Sequence, residues 1–89
     1  MDKNEIQNDF KSNFLQLRKI INAWNLIPGS GKEEFDSLNQ KILSNLYRGA
    51  DADKIKRVIE SELCVNFGFF IDEFDSEKMS LEIIEWWNE

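Results

Sequence analysis

Apolar residues recur along the first part of the chain at the spacing of an α-helix. Six of them follow one another at steps of three or four, namely Ile6, Phe10, Phe14, Leu17, Ile21 and Trp24. Because that spacing puts side chains on one face of a helix, the pattern predicts a first helix from about Asn4 to Trp24. Pro28 and Gly29 form a strong turn signal, so a loop from about Asn25 to Lys32 is expected next.

The same period predicts a second and a third helix. The second runs from about Glu33 to Arg48, with acidic residues crowding its first turn and Gly49 as a left-handed cap. The third begins after Asp51 or Asp53, since either aspartate can act as its N-cap. Its apolar period continues to Phe67, and Gly68 ends it.

A fourth helix is predicted from about Ser76 to Asn88, with Asp75 as its N-cap. The apolar link before it, Phe69 to Ile71, is expected to be buried, because an exposed apolar link would instead indicate a partner. Four amphipathic helices with short connections favour an all-α fold, a compact antiparallel four-helix bundle. A chain of 89 residues is expected to form a single helical domain over residues 1–89.

Charge is distributed unevenly along the chain. Residues 1–57 carry ten basic and eight acidic side chains, whereas residues 58–89 carry nine acidic side chains and one basic one, Lys78. The net charge of −6 therefore comes from the last third. Such a region repels nucleic acid and anionic lipid, so neither nucleic acid nor a membrane is an expected partner. It would speed encounter with a basic protein, although a solvated surface that only aids solubility has the same composition.

The residue types exclude most catalytic chemistry. The chain has no histidine and a single cysteine, Cys64, so the commonest general base, a disulfide within the chain and a cysteine-based zinc site are absent. Neither a signal peptide nor a membrane span is predicted, and the expected compartment is the cytoplasm. We expect no cofactor and no metal site.

Two short motifs resemble ligand loops without completing them. The stretch from Gly29 to Lys32 has one residue between its glycines, whereas a phosphate loop has four and follows a buried strand. Asp51 and Asp53 lack the glycine and distal glutamate of a calcium loop, so they are interpreted as capping residues.

The stretches Ile20–Pro28, Glu34–Ser37 and Ile42–Leu46, followed by Gly49, resemble a family of small bacterial all-helical proteins catalogued as a domain of unknown function. In that family a Trp-Asp-Pro turn follows the first helix, and the second begins with an acidic residue, an aromatic residue, Asp and Ser. Here Asn25 replaces the acidic residue, and the proline is displaced by two positions. The resemblance implies a helical fold and transfers no activity.

By type, the chain also resembles immunity proteins of bacterial toxin systems. Those proteins are small, acidic, cytoplasmic and single-domain, and each neutralises a toxin by binding it. The resemblance implies an inhibitor without catalytic residues, and its expected partner is a basic protein such as a toxin domain. The candidate partner-binding residues are acidic and aromatic and lie in the last third of the chain, at Asp72, Glu73, Asp75, Glu77, Glu82, Glu85, Trp86 and Trp87.

Other interpretations remain open. Trp86 and Trp87 point about 100° apart on a helix, so they either close the end of the core or leave Trp87 half exposed as an interface anchor. An adaptor or regulatory bundle would instead use the loop at Trp24, with Trp24, Leu26 and Ile27 exposed to solvent. Carboxylates three residues apart can perform acid–base catalysis or bind a metal, but a solvated helix face has the same spacing, and we expect no enzyme.

Overall fold

The computed structural model describes the backbone of residues 3–89 and the side chains of residues 9–89, and this part of the chain forms four α-helices and no β-strand. The helices are α1 (Lys3–Ala23), α2 (Asp36–Tyr47), α3 (Ala52–Ser61) and α4 (Ser76–Trp87). A π-helical segment, Glu62–Asn66, continues α3, and one turn of 3-10 helix, Ile71–Glu73, precedes α4. The prediction of an all-α fold is confirmed.

The helix α1 has the bounds that its apolar stripe predicts, to within one residue. Leu17 and Ile21 are buried, and Phe14 and Trp24 are half-buried against the core. The side chain of Ile6, the first residue of the stripe, lies outside the described residues.

The helix α2 begins three residues later than the sequence pattern predicts, at Asp36 instead of Glu33. Residues 32–35 form turns, in which the backbone N–H of Glu34 donates to the carbonyl of Gly31. Phe35 is buried and stacks against Phe67, with the ring centroids 4.7 Å apart. Of the three acidic residues expected in the first turn, only Asp36 lies there, because Glu33 and Glu34 belong to the turns that precede α2.

Local capping chemistry ends α2 and starts α3 and α4. Gly49 has a φ of 85°, and the N–H groups of Gly49 and Ala50 donate to the last carbonyls of α2, which is a Schellman motif. Asp51 rather than Asp53 caps α3, since its side chain accepts a hydrogen bond of 2.9 Å from the N–H of Lys54. Asp75 caps α4 in the same way, as predicted.

One hydrophobic core joins the four α-helices. It contains Leu17 and Ile21 of α1, the buried face of α2, Ile55 and Ile59 of α3, and Met79 and Ile83 of α4. The helices α1 and α2 contact each other at both ends of α2, because Asn39 near its start bonds the carbonyl of Phe14 and Tyr47 at its end stacks on Phe10. The radius of gyration of 13.0 Å is close to the roughly 12 Å expected of a folded chain of this length.

The third helical segment ends in a π-helix, whereas the sequence predicts a continuous α-helix. The chain is helical up to Asn66, one residue short of the predicted end at Phe67, and residues 62–66 have π-helical rather than α-helical bonding. The residue that ends the segment is Gly68, whose φ of 72° is left-handed and favours glycine. The backbone then turns back, because the N–H of Phe69 donates to the carbonyl of Leu63.

Candidate functional site

The six predicted acidic site residues are all exposed, and we call them the acidic surface. Two lie on the 3-10 turn, one is the N-cap of α4, and three lie on α4; they are Asp72, Glu73, Asp75, Glu77, Glu82 and Glu85. Among the residues whose side chains are described, none of the six forms an ion pair. Their charges are therefore available to a partner.

The acidic surface surrounds two adjoining hollows. The first lies between α3 and the start of α4 and contains one cation, Lys56, among five carboxylates: Glu60, Asp72, Glu73, Asp75 and Glu77. The second lies along α4 and contains one cation, Lys78, among four carboxylates: Asp75, Glu77, Glu82 and Glu85. Because Asp75 and Glu77 line both hollows, the six predicted acids form one continuous negative region.

Several of these carboxylates also hold the local structure. Glu73 accepts a hydrogen bond of 3.2 Å from the N–H of Phe70, and Glu82 accepts one of 2.9 Å from the indole N–H of Trp24. Glu60, at the edge of the first hollow, accepts a bond of 2.7 Å from the Ser76 hydroxyl. These bonds fix the positions of the charges and leave the carboxylates in contact with solvent.

The two predicted tryptophans lie apart from the two acidic hollows. Both are half-buried and pack against the core, and they line a separate hollow with Asn13, Gln16 and Glu89. The indole N–H of Trp86 donates to Gln16 of α1 at 3.0 Å, and Trp87 packs edge-on against Tyr47 at 5.1 Å. The structure therefore brings the six acids together and places the tryptophans where α4 meets α1 and α2.

Three exposed apolar residues were missed as candidates: Ile71 and Leu81 line the acidic hollows, and Phe70 is next to Ile71 in the chain. Phe70 is 72% exposed, Ile71 is 55% exposed and Leu81 is 53% exposed. The expectation that the link from Phe69 to Ile71 is buried is therefore wrong for Phe70 and Ile71, and Phe69 is half-buried. A stretch with no helical period gives no indication of which side chain faces inward, so the sequence pattern carried no signal for this exposure.

One carboxylate, Glu62, is buried, with only 3% of its side chain exposed. Burial raises its pKa, but hydrogen bonds from Lys41, Asn66 and Ser37 together with the charge of Lys41 outweigh burial, so the pKa of Glu62 lies below its ordinary value. A carboxylate held ionised by partners within the chain stabilises the fold and is a poor general base. In the part of the chain that the structure describes, no three Cys, Asp or Glu residues form a group that could hold a metal ion.

The loop after α1 offers less exposed surface than the adaptor hypothesis needs. Trp24, Leu26 and Ile27 are half-buried and pack against the core. The loop and the end of α1 line a small hollow with Phe35 at its base. A contact surface at this loop stays a prediction.

No α-helix in the described residues has both the length and the apolar character needed to cross a membrane. Comparison of the chain with known protein families, with curated proteins and with solved structures gave no match. The resemblances to a helical family and to immunity proteins therefore stay predictions.

Proposed function

We propose that this protein is a cytoplasmic, non-catalytic inhibitor of the immunity type, which neutralises a basic toxin domain by binding it through the acidic surface. The observation that supports the proposal is the continuity of six exposed carboxylates around two adjoining hollows, none of which forms an ion pair with a described side chain. Among the described side chains that line these hollows, Lys56 and Lys78 are the cations, so the acidic surface carries an excess of negative charge. A partner with a positive face is the complement of such a region.

The charges act mainly on the rate of association. Complementary potentials steer two proteins together and raise the association rate, most strongly at low ionic strength. Nucleases and other proteins that bind phosphates carry lysine and arginine at their binding sites. An inhibitor that covers those cations with carboxylates blocks substrate binding without any chemistry of its own.

We assign Trp86 and Trp87 a supporting role in this function. Their contacts with Gln16 and Tyr47 hold α4 against α1 and α2. Because α4 carries three of the six acids, a fixed α4 presents its charges in one arrangement and lowers the entropy cost of binding.

We further propose that the four helices form an antiparallel bundle. In support, α1 and α2 run antiparallel. The π-helical segment that continues α3 also runs antiparallel to α2, because Phe67 at its end contacts Phe35 before α2 whereas Glu62 at its start contacts Lys41. The helices α1 and α4 also run antiparallel, because Trp24 bonds Glu82 whereas Gln16 bonds Trp86. A bundle of this kind places the acidic surface at the outer side of α4.

The test compares two variants with the same change in net charge. The charge variant carries Asp72→Asn, Glu77→Gln and Glu85→Gln, which alter the acidic surface but leave the bonds of Glu73, Asp75 and Glu82 in place. The control variant carries substitutions at three exposed acids elsewhere in the chain, Asp9→Asn, Glu33→Gln and Glu34→Gln. Each variant and the wild-type protein are used as bait in a lysate of the source organism, with a salt series and mass spectrometry.

We expect the wild-type and control proteins to retain the same basic partner, released by rising salt, and the charge variant to bind it about tenfold more weakly at low salt. Expression of that partner alone should stop cell growth, and co-expression of the wild-type protein should restore growth. Equal loss of binding in the control variant would show that net charge rather than the acidic surface matters. A partner that is not toxic would contradict the inhibitor function.

A further inference from the structure

Two exposed apolar side chains, Ile71 and Leu81, line the hollows of the acidic surface, and a third, Phe70, lies beside Ile71 and bonds Glu73 through its backbone. Ile71 lines the first hollow together with half-buried Phe74, and Phe70 precedes Ile71 in the chain. Leu81 lines the second hollow between carboxylates of α4. Large apolar side chains that are more than half exposed are placed where a partner can remove them from water.

The turn that carries Phe70 is held firmly by the chain around it. The N–H of Phe70 donates to the Glu73 carboxylate, and the N–H of Glu73 donates to the carbonyl of Phe70. On the other side, the N–H of Phe69 donates to Leu63, and the Phe69 ring packs edge-on against Phe74 at 6.3 Å. Phe70 is therefore displayed from a braced turn, which lowers the entropy cost of ordering it on binding.

The charges around these apolar residues determine what can cover them. The acidic surface of a second copy of this chain is repelled, and so are anionic lipids and nucleic acid, whereas residues 1–57 of a second copy offer an excess of only two positive charges. We propose that the occupant is a cationic amphipathic segment of another protein, whose apolar side chains cover Phe70, Ile71 and Leu81 while its lysine or arginine residues meet the acidic surface. This inference rests on the proposed function and names the recognition element of the partner.

The two kinds of contact contribute differently to binding. The carboxylates draw the segment in and give the binding its salt dependence. Removal of Phe70, Ile71 and Leu81 from water gives the burial that slows dissociation. Loss of the apolar contacts is therefore expected to weaken binding by about tenfold or more, even at low salt.

The probe is a synthetic, labelled peptide of Lys and Leu residues in amphipathic order, and its Kd is measured by fluorescence anisotropy across a salt series. A first control peptide has Gln in place of Leu and keeps the charge. A second control peptide has Glu in place of Lys and keeps the apolar face. Both controls are expected to bind at least about tenfold more weakly than the Lys-Leu peptide.

The apolar variant of the protein carries Phe70→Ser, Ile71→Ser and Leu81→Gln. Its matched control is Leu15→Gln, which removes an exposed leucine of α1, 44% exposed, from outside the acidic region. Circular dichroism melts confirm that each variant is folded before its Kd is compared. We expect the apolar variant to lose about tenfold or more in affinity and the Leu15→Gln variant to bind as the wild type does.

The charge variant defined above separates this inference from the proposed function. If the charge variant loses affinity and the apolar variant keeps it, the apolar recognition element is wrong and the proposed function stands. If the apolar variant loses affinity and the charge variant keeps it, the acidic surface is not the binding determinant and both proposals fail. If the Lys-Leu peptide does not bind at low salt, the inference is overturned, and the capture experiment still decides the proposed function.

Discussion

Replacing Lys41 by methionine tests how the buried carboxylate of Glu62 is held in the core. The ammonium group of Lys41 lies 2.5 Å from Glu62 Oε2, and its side chain is 55% exposed, whereas that of Glu62 is 3% exposed. Lys41→Met therefore leaves a charge in the core with neutral donors only. Glu62→Gln leaves a lysine that reaches water, so the two substitutions are expected to differ in cost.

Hydrogen bonds to charged groups contribute about 1.5–3 kcal/mol, and the exposure of Lys41 places its contribution toward the lower part of that range. We expect Lys41→Met to lower the free energy of unfolding by about 2 kcal/mol and Glu62→Gln by about 1 kcal/mol. Because the double variant has no buried charge, it should be more stable than Lys41→Met alone. A matched control is Lys19→Met at an exposed position of α1, expected to change stability by less than about 0.5 kcal/mol.

The pH dependence of the free energy of unfolding provides a second, independent test of the contact between Lys41 and Glu62. The pKa of Glu62 is lower in the folded protein than in the unfolded chain, so the ionised carboxylate contributes to the free energy of unfolding. That contribution is fully present above the ordinary pKa of about 4.3 and is lost as pH falls through the lower pKa of the folded state. Lys41→Met removes the bond and the charge of Lys41 but keeps the bonds from Asn66 and Ser37, so the pKa of Glu62 should be higher in the variant than in the wild type. Acid should therefore narrow the difference in free energy of unfolding between the wild type and the variant. Urea unfolding at pH 7 and at about pH 3.5 measures both effects. The reasoning would be refuted if Lys41→Met lowered the free energy of unfolding by the same amount at both pH values. It would also be refuted if the double variant were less stable than Lys41→Met.

Three further substitutions test other parts of the fold by thermal and urea unfolding. Asn39→Leu removes a buried Oδ1 that has no hydrogen-bond partner among the described residues, but it also removes the 2.9 Å bond from Asn39 Nδ2 to the carbonyl of Phe14. Because these two effects oppose each other, the free energy of unfolding should change by less than about 1 kcal/mol, and a loss of more than about 2 kcal/mol would contradict this. Gly49→Ala should cost about 1 kcal/mol because of the left-handed backbone there, whereas Gly31→Ala, at an open position, should cost little. Trp24→Phe should cost up to about 1 kcal/mol through loss of the bond to Glu82, and Glu82→Gln, which keeps an acceptor, should cost less.

Local chemistry predicted the helix ends well because a cap depends on a few neighbouring residues. Gly49 and Asp75 act as the sequence indicates, and Asp51 rather than Asp53 caps α3. The start of α2 was missed because the burial of Phe35 against a residue 32 positions away in sequence is a tertiary effect.

The exposure of the charged side chains of the candidate site could be predicted from the sequence, whereas the exposure of its apolar side chains could not. Carboxylates are exposed on almost any fold, so Asp72 and Glu85 could be placed at the surface from composition alone. The exposure of Phe70 depends on a turn that is braced by Glu73 and Phe69, and no period marks such a turn. The bond between Trp24 and Glu82 joins distant parts of the chain and leaves no local pattern.

The bonds between α1 and α4 also bear on the order in which the chain folds. Trp24 and Glu82 are 58 residues apart, and Gln16 and Trp86 are 70 apart, whereas Arg18 and Asp36 of the α1–α2 contact are 18 apart. Closing a loop of 70 rather than 18 residues costs about 1 kcal/mol more in chain entropy. The α1–α2 hairpin is therefore expected to form before α4 closes onto α1. Two of the three tryptophans, Trp24 and Trp86, form bonds between α1 and α4. During refolding, the change in tryptophan fluorescence is therefore expected to lag behind the far-ultraviolet circular dichroism that reports helix formation.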